Sequence, residues 1–220
     1  MDYSIELLIA AVENGQLPPN FNRWDLVIDD HGTTIAHRAA ELGHLPPDFN
    51  QWNLATDKGW SVAHTAVRHG PLPPDFNQWD LADDEGWTVL HEAAMFGHLP
   101  PNFNRWDLAT DEGWSVAHVA AAYGHLPPDF NQWGLTNVYG KTVAHVAAAY
   151  GRLPSDFNGW DWATKDGWTV AHQGACYGTL PPDFDRWELR NKYGWTVAQV
   201  AYWNDNLPPN FDRWDLINQV

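Results

Sequence analysis

Basic residues are scarce in this chain. Only 12 Lys plus Arg stand against 28 Asp plus Glu in 220 residues, a formal charge of -16. Nucleic-acid phosphates and anionic membranes both demand basic surface, so neither is expected as a partner. The acidity itself has two readings: solubility for a Trp-rich chain, or steering of basic partners. A single cysteine, Cys176, excludes an internal disulfide framework. It stands where other units carry Ala122, Ala149 or Met95, which marks it as a small packing residue. No run approaches the roughly 18 apolar residues of a membrane span. The opening MDYSIELLIAAVENG has no basic leader region and no cleavage motif, so a soluble, cytoplasmic protein is expected. A Gly-rich phosphate loop, a Ser-His-Asp constellation, a Cys-His pair and zinc spacing are all missing. Neither an enzyme nor a cofactor is expected.

What is present in excess is tryptophan, 15 in all. Trp52, Trp79, Trp106, Trp133, Trp160, Trp187 and Trp214 follow one another at a fixed 27 positions, and Trp24 precedes them by 28. A fixed period in this range means stacked supersecondary modules, each burying its apolar face only against its neighbours.

The unit from Trp106 to Gln132 shows the plan. DLATDEG is a polar connector in which Gly113 supplies a backbone angle other residues resist. Ser115 reads as an N-cap, and Val116 to Tyr123 as a short alanine-rich helix ended by Gly124. Leu126-Pro127-Pro128 cannot prolong it, because proline lacks a donor and extends the residue before it. Prolines and Asp129 suit the first turn of a new helix, so Pro128 to Trp133 is predicted to be a helical stub. Helices this short are marginal alone, so stacking is obligatory. The ladder of Ala39, Ala66, Ala93, Ala120, Ala147, Gly174 and Ala201 would allow close helix contact. The Leu, Phe and Trp of the corners would supply the apolar ladders, each buried Trp hiding about 150–250 Å².

The segment DEGWSVAHVAAAYGHL, and most closely DDEGWTVLHEAAMFGHL from Asp83 to Leu99, resembles the ankyrin repeat signature D-x-x-G-x-T-P-L-H-x-A-A-x-x-G-H-L. KDGWTVAHQGACYGTL, from Lys165 to Leu180, is a looser copy. The match recurs in seven units and covers nearly the whole chain. Two departures stand out. Valine or isoleucine replaces the family's proline at positions 35, 62, 89, 116, 143, 170 and 197, and the period is 27 rather than about 33. The missing residues come out of the second helix. The resemblance implies an all-α, ankyrin-like solenoid of eight stacked helix–corner–helical-stub repeats in one domain. Residues 1–23 would form an N-terminal cap unit with Ile9 in the histidine position, 24–187 the internal repeats, and 188–220 the C-terminal unit.

His37, His64, His91, His118, His145 and His172 recur at 27, with Gln199 in the last unit. A metal site needs several ligands within a few ångströms, whereas stacked helices lie roughly 10 Å apart. The resemblance implies that this histidine is structural, and Gln199 agrees with a hydrogen-bonding role. Asp48, Asp75, Asp129, Asp156 and Asp183 alternate with Asn20, Asn102 and Asn210 as copies of one stub cap. A catalytic pair would be singular.

A second tryptophan series, Trp60, Trp87, Trp114, Trp168 and Trp195, follows the connector glycine and gives way to Thr33 and Lys141 in two units. These residues either pack on a neighbouring connector or face a partner. The resemblance implies that this position, and the end of the first helix, contact partners on the concave face. Phe96, Tyr123, Tyr150 and Tyr177 occupy that helix end. The expectation is a non-enzymatic scaffold binding a protein or peptide, possibly a basic one, through these nine aromatic residues. A carbohydrate-binding module stacking sugars on the Trp row is the alternative, and a ligand-free spacer or consensus-like array the third reading. The chain would be a monomer or associate end to end, since Trp203, Ile217 and Val220 give its last unit little polar capping.

Overall fold

A computed structural model describes residues 4–218. Among them are eight α-helices, each six to nine residues long: α1 (Ile5–Glu13), α2 (Ile35–Glu41), α3 (Val62–Val67), α4 (Val89–Phe96), α5 (Val116–Tyr123), α6 (Val143–Ala149), α7 (Val170–Tyr177) and α8 (Val197–Trp203). One 3-10 turn, Trp214–Leu216, follows. Strands are absent among the described residues, where only isolated antiparallel bridges such as Ala55 with Ser61 close the connectors. The chain divides into two compact units. One runs up to Asn104 and includes Ala109–Asp111; the other holds Arg105–Leu108 and Glu112 onward. In the first, α1 packs on α2, α2 on α3 and α3 on α4. In the second, α5 packs on α6, α6 on α7 and α7 on α8.

Helices of two turns need their terminal polar groups satisfied from outside, because each end leaves four without an internal partner. At the start of α5 all four amides are spoken for. Ser115 N–H donates to His118 Nδ1 at 3.1 Å, and His118 N–H to Ser115 Oγ at 3.4 Å. Val116 N–H reaches the Leu108 carbonyl at 2.9 Å and Ala117 N–H the Trp106 carbonyl at 3.1 Å. The reciprocal Ser–His pair is a capping box with histidine in the usual place of glutamate or glutamine. Gly124, at φ 83°, ends the helix in the left-handed conformation.

The last carbonyls are capped by the following module. His44 Nδ1 lies 2.8 Å from the Val12 carbonyl, and His98 Nδ1 2.6 Å from that of Val67. In the second unit Arg152 donates to the Ala121 carbonyl at 3.2 Å, Thr179 to that of Ala148, and Asn206 to Ala175 and Cys176 at 3.1 and 2.9 Å. One position, the residue after the left-handed helix end (a glycine, or Asp205 before Asn206), thus does the same work as His, Arg, Thr or Asn. Any side chain with a donor of the right reach suffices.

The helical stub predicted after each Pro-Pro corner does not form. Pro47-Asp48 occupies a single turn closed by Phe49 N–H on the Pro46 carbonyl at 3.0 Å, and a second separate turn closes Leu54 on Gln51 at 3.2 Å. The carbonyls of Trp52 and Leu54, at the end of the predicted stub and just beyond it, accept from Ala63 and Val62 at the start of α3. Asp48 and its copies therefore cap no helix. In place of a second helix stands a zigzag of rings. In the first unit Phe21, Trp24, Phe49, Trp52, Phe76 and Trp79 meet edge to face in sequence, centroids 4.9–5.7 Å apart. From Trp106 to Trp214 the second unit repeats the pattern at 5.0–6.2 Å. Such contacts are each worth about 0.5–1.5 kcal/mol beyond burial.

The core lies between these rings and the buried face of the helices, where Ala39, Ala93, Ala120, Ala147 and Ala201 are fully buried. Trp24, Trp106 and Trp187 are buried with them. The expectation that the whole first series is core fails at Trp214, which meets Phe211 alone and is 52 % exposed.

Candidate functional site

The repeating histidines prove structural by their bonds. His64 Nδ1 accepts from the Ser61 amide at 3.1 Å, so the ring proton sits on Nε2. Nε2 donates to the Trp87 carbonyl of the next connector at 3.0 Å. His37 reaches Trp60 at 2.9 Å in the same way. In the second unit His118, His145 and His172 reach Lys141, Trp168 and Trp195, each at 3.0 Å. Burial holds all five of these imidazoles below their ordinary pKa, against the opposing pull of the accepting carbonyl. His64 and His145 fall to about 4. Gln199 copies the arrangement, accepting from Thr196 N–H at 2.9 Å and donating to the Ile217 carbonyl at 3.4 Å.

These bonds explain the imperfect second Trp series. What the neighbouring module needs from that position is its main-chain carbonyl, which Lys141 supplies as well as Trp168 does. The side chain is left free to vary. Trp60, Trp87, Trp114 and Trp168 are half-buried, and Trp195 is 44 % exposed. Trp60, Trp87 and Trp168 lean on the imidazole of their own module, centroids 4.7–5.2 Å apart. Trp114 meets His118 edge-on at 5.5 Å. Each ring therefore packs by one side and offers the rest to solvent. Part of each ring is thus covered within its own module and part is left open.

In the first unit the indoles are also pinned. Trp60 Nε1 donates to Thr65 Oγ1 at 3.1 Å, and Trp87 Nε1 to Glu92 Oε2 at 2.7 Å. The buried Glu92 takes Arg68 Nε on its other oxygen at 2.5 Å, and the Arg68 guanidinium lies 4.6 Å from the Trp60 ring centre. Phe96, Tyr123, Tyr150 and Tyr177, at the ends of α4 to α7, are 41–60 % exposed. They form the most open aromatic set among the nine, and each stands on a helix whose inner face is buried.

Two features escaped the sequence. Grooves run between successive Pro-Pro corners. One of about 350 Å³ lies between Pro18–Trp24 and Pro46–Gln51, another of about 240 Å³ between Pro47–Trp52 and Pro73–Gln78. The second unit has one of about 320 Å³ from Gly151 to Asp185. They are on the ring-zigzag side, away from the second Trp series. The other feature is a cluster of Tyr193, Trp195 and Trp203 on α8 and its connector. Its sequence signal was Trp203, which stands where Met95, Ala122, Ala149 and Cys176 are small or flexible.

No protein-family model matches this chain, and no curated protein is significantly similar to it.

Proposed function

We propose that the chain is a non-enzymatic, ankyrin-like repeat scaffold that binds a protein or peptide segment. Each unit would bind through the face carrying its own helix-end aromatics and its own members of the second Trp series. The carrying observation is that Phe96, Tyr123, Tyr150 and Tyr177 present exposed rings at one repeated position, on helices capped and buried on every other side. Rings held this way lose little freedom on binding, which is where a preformed surface gains affinity. The half-buried Trp60, Trp87, Trp114 and Trp168 would border them, and Trp195 would extend the set. A formal charge of -16 favours a partner with lysine or arginine on its contact surface.

A peptide-display selection against the whole chain tests this. Selected peptides should be basic, and Tyr123→Ser with Tyr150→Ser and Tyr177→Ser should weaken them about tenfold or more. All three residues are exposed, so thermal unfolding of the variant should match the parent. Equal affinity for parent and triple variant would refute the assignment of the face.

A further inference from the structure

Cations are few in this protein, yet three of them rest on aromatic rings, two of which, Trp60 and Tyr150, belong to the surface proposed to bind. The Arg68 guanidinium lies 4.6 Å from the Trp60 centroid. That of Arg152 lies 5.2 Å from Tyr150, and Lys192 Nζ 5.0 Å from Tyr193. Attraction between a cation and the ring quadrupole adds to each contact, beside the Glu92 carboxylate on Arg68, the Ala121 carbonyl on Arg152 and the Asp166 carboxylate on Lys192. The molecule's own side chains therefore show which chemistry these rings accept.

One pair of rings has no such occupant. Trp195 and Trp203 meet edge to face at 5.3 Å and 85°, making two walls at a right angle, and Tyr193 borders Trp195 at 5.5 Å. The three are 44, 54 and 63 % exposed. Among the described residues no cation is seated on either indole. Two adjacent, half-open tryptophans are the kind of patch that marks an interaction site. They also have no packing duty shared by other modules. Ala122, Ala149 and Cys176 fill the Trp203 position elsewhere, and Gln199 does not place an imidazole under Trp195.

We propose that the Trp195–Trp203 corner, rimmed by Tyr193, is a seat for an arginine side chain of a basic peptide segment. This rests on the reading of the helix-end face as the binding face and adds to it the chemistry of one position. Arginine fits better than lysine because its guanidinium is planar, weakly hydrated and stacks on an indole while keeping its donors free. Of the positive charges on that connector, Lys192 is ion-paired with Asp166 and lies against Tyr193, and Arg190 donates to the Gly194 carbonyl at 2.6 Å; among the described residues neither is seated on the two indoles. The net charge of the chain draws the segment in.

The test uses a fluorescein-labelled nonapeptide with three arginines spaced by glycine and serine, and its lysine counterpart. Binding to the whole chain is read by anisotropy at near-physiological salt. The arginine peptide should bind a few-fold more tightly than the lysine one, and Trp203→Ala should weaken it about five- to tenfold and abolish the preference. Alanine already occupies this position in two modules, so the variant keeps its fold, which a matching thermal transition verifies. Trp203→Phe should retain most of the affinity. Lys192→Gln, which releases Asp166, should tighten binding. Unchanged affinity in Trp203→Ala, or no arginine preference in the parent, would overturn the seat and leave diffuse attraction. Loss in Trp203→Ala with no effect of the Tyr123, Tyr150 and Tyr177 changes would keep the seat and refute the wider face. The converse would refute the seat alone.

Discussion

Acid should unfold this protein well above the range where its carboxylates protonate, through the buried histidines. Protonation of His64 at Nδ1 places a proton where the Ser61 amide now donates, and puts a charge in a fully buried ring. The folded pKa of His64 and of His145 is about 4, against 6.5 for a free side chain. The sign follows directly. Below 6.5 the unfolded chain takes up protons that the folded one refuses, so stability is complete above that pH and falls as pH drops towards 4. Linkage gives about 1.3 kcal/mol lost per histidine between about pH 7.5 and pH 5.5, or about 2.6 for the pair. His37, His118 and His172 are lowered in the same direction and add to the loss. The range stays above the isoelectric point of 4.8, where solubility would fail.

The chain contains its own control. Gln199 holds the same bonds without titrating. His64→Gln combined with His145→Gln should therefore start from a different stability at neutral pH but lose about 2.6 kcal/mol less on acidification. Guanidinium unfolding followed by tryptophan fluorescence at three pH values measures this for both proteins. Effects of acidification on net charge are common to the two and cancel in the comparison. Parallel pH dependences in parent and variant would refute the argument.

Other consequences concern single positions. Gly113 and Gly194 occupy the same connector site at φ 78° and 82°, but only at Gly113 would a Cβ meet the next connector, at 2.9 Å from Asn137 Cα. Gly194→Ala should cost about 1–2 kcal/mol and Gly113→Ala at least about 1 more, the difference in denaturation midpoints isolating the clash. Asn137 and Asn191 bury a side-chain N–H group that has no partner. Replacing either by threonine, which Thr56 and Thr164 show to fit the turn, should stabilise by about 1 kcal/mol, read as a higher melting temperature. Arg68→Ala strips the buried Glu92 carboxylate of its cation and leaves it to the Trp87 indole, and should cost about 2–3 kcal/mol. Adding Glu92→Gln should recover much of that loss in a double-mutant cycle, and a double variant no better than the single would refute it.

Much of the fold could be read from local signals. Ser115 as N-cap, helix limits at Val116 and Tyr123, and Gly124 as terminator all follow from capping chemistry within one module, and the structure has them in place. The histidine row was legible as structural from the resemblance, the helix spacing and the Gln199 replacement, and the structure supplies a bond within the module and a bond to the next, as at His64. The stub after the Pro-Pro corner was misread, because prolines and aspartate suit both a helix start and an isolated turn. The structure has two separate turns there, Phe49 on Pro46 and Leu54 on Gln51, with the Trp52 and Leu54 carbonyls tied to the next helix. For the candidate site, sequence singled out the nine aromatic residues by their position. It could not tell how much of each ring remained open, since that depends on partners such as Glu92 for Trp87 and Arg68 for Trp60.

By itself the sequence determined the period, the eight short helices and the need for each to lean on its neighbour, because capping, proline and glycine act over a few residues. Tertiary structure decided what replaces the second helix, which member of each tryptophan series is covered, and where three cations settle on rings. Those outcomes depend on which groups the folded chain brings together, from the Trp52 and Leu54 carbonyls that meet α3 to the Glu92 carboxylate that holds Arg68 from 24 positions away, and a local pattern carries no record of which of several chemically suitable partners comes within reach.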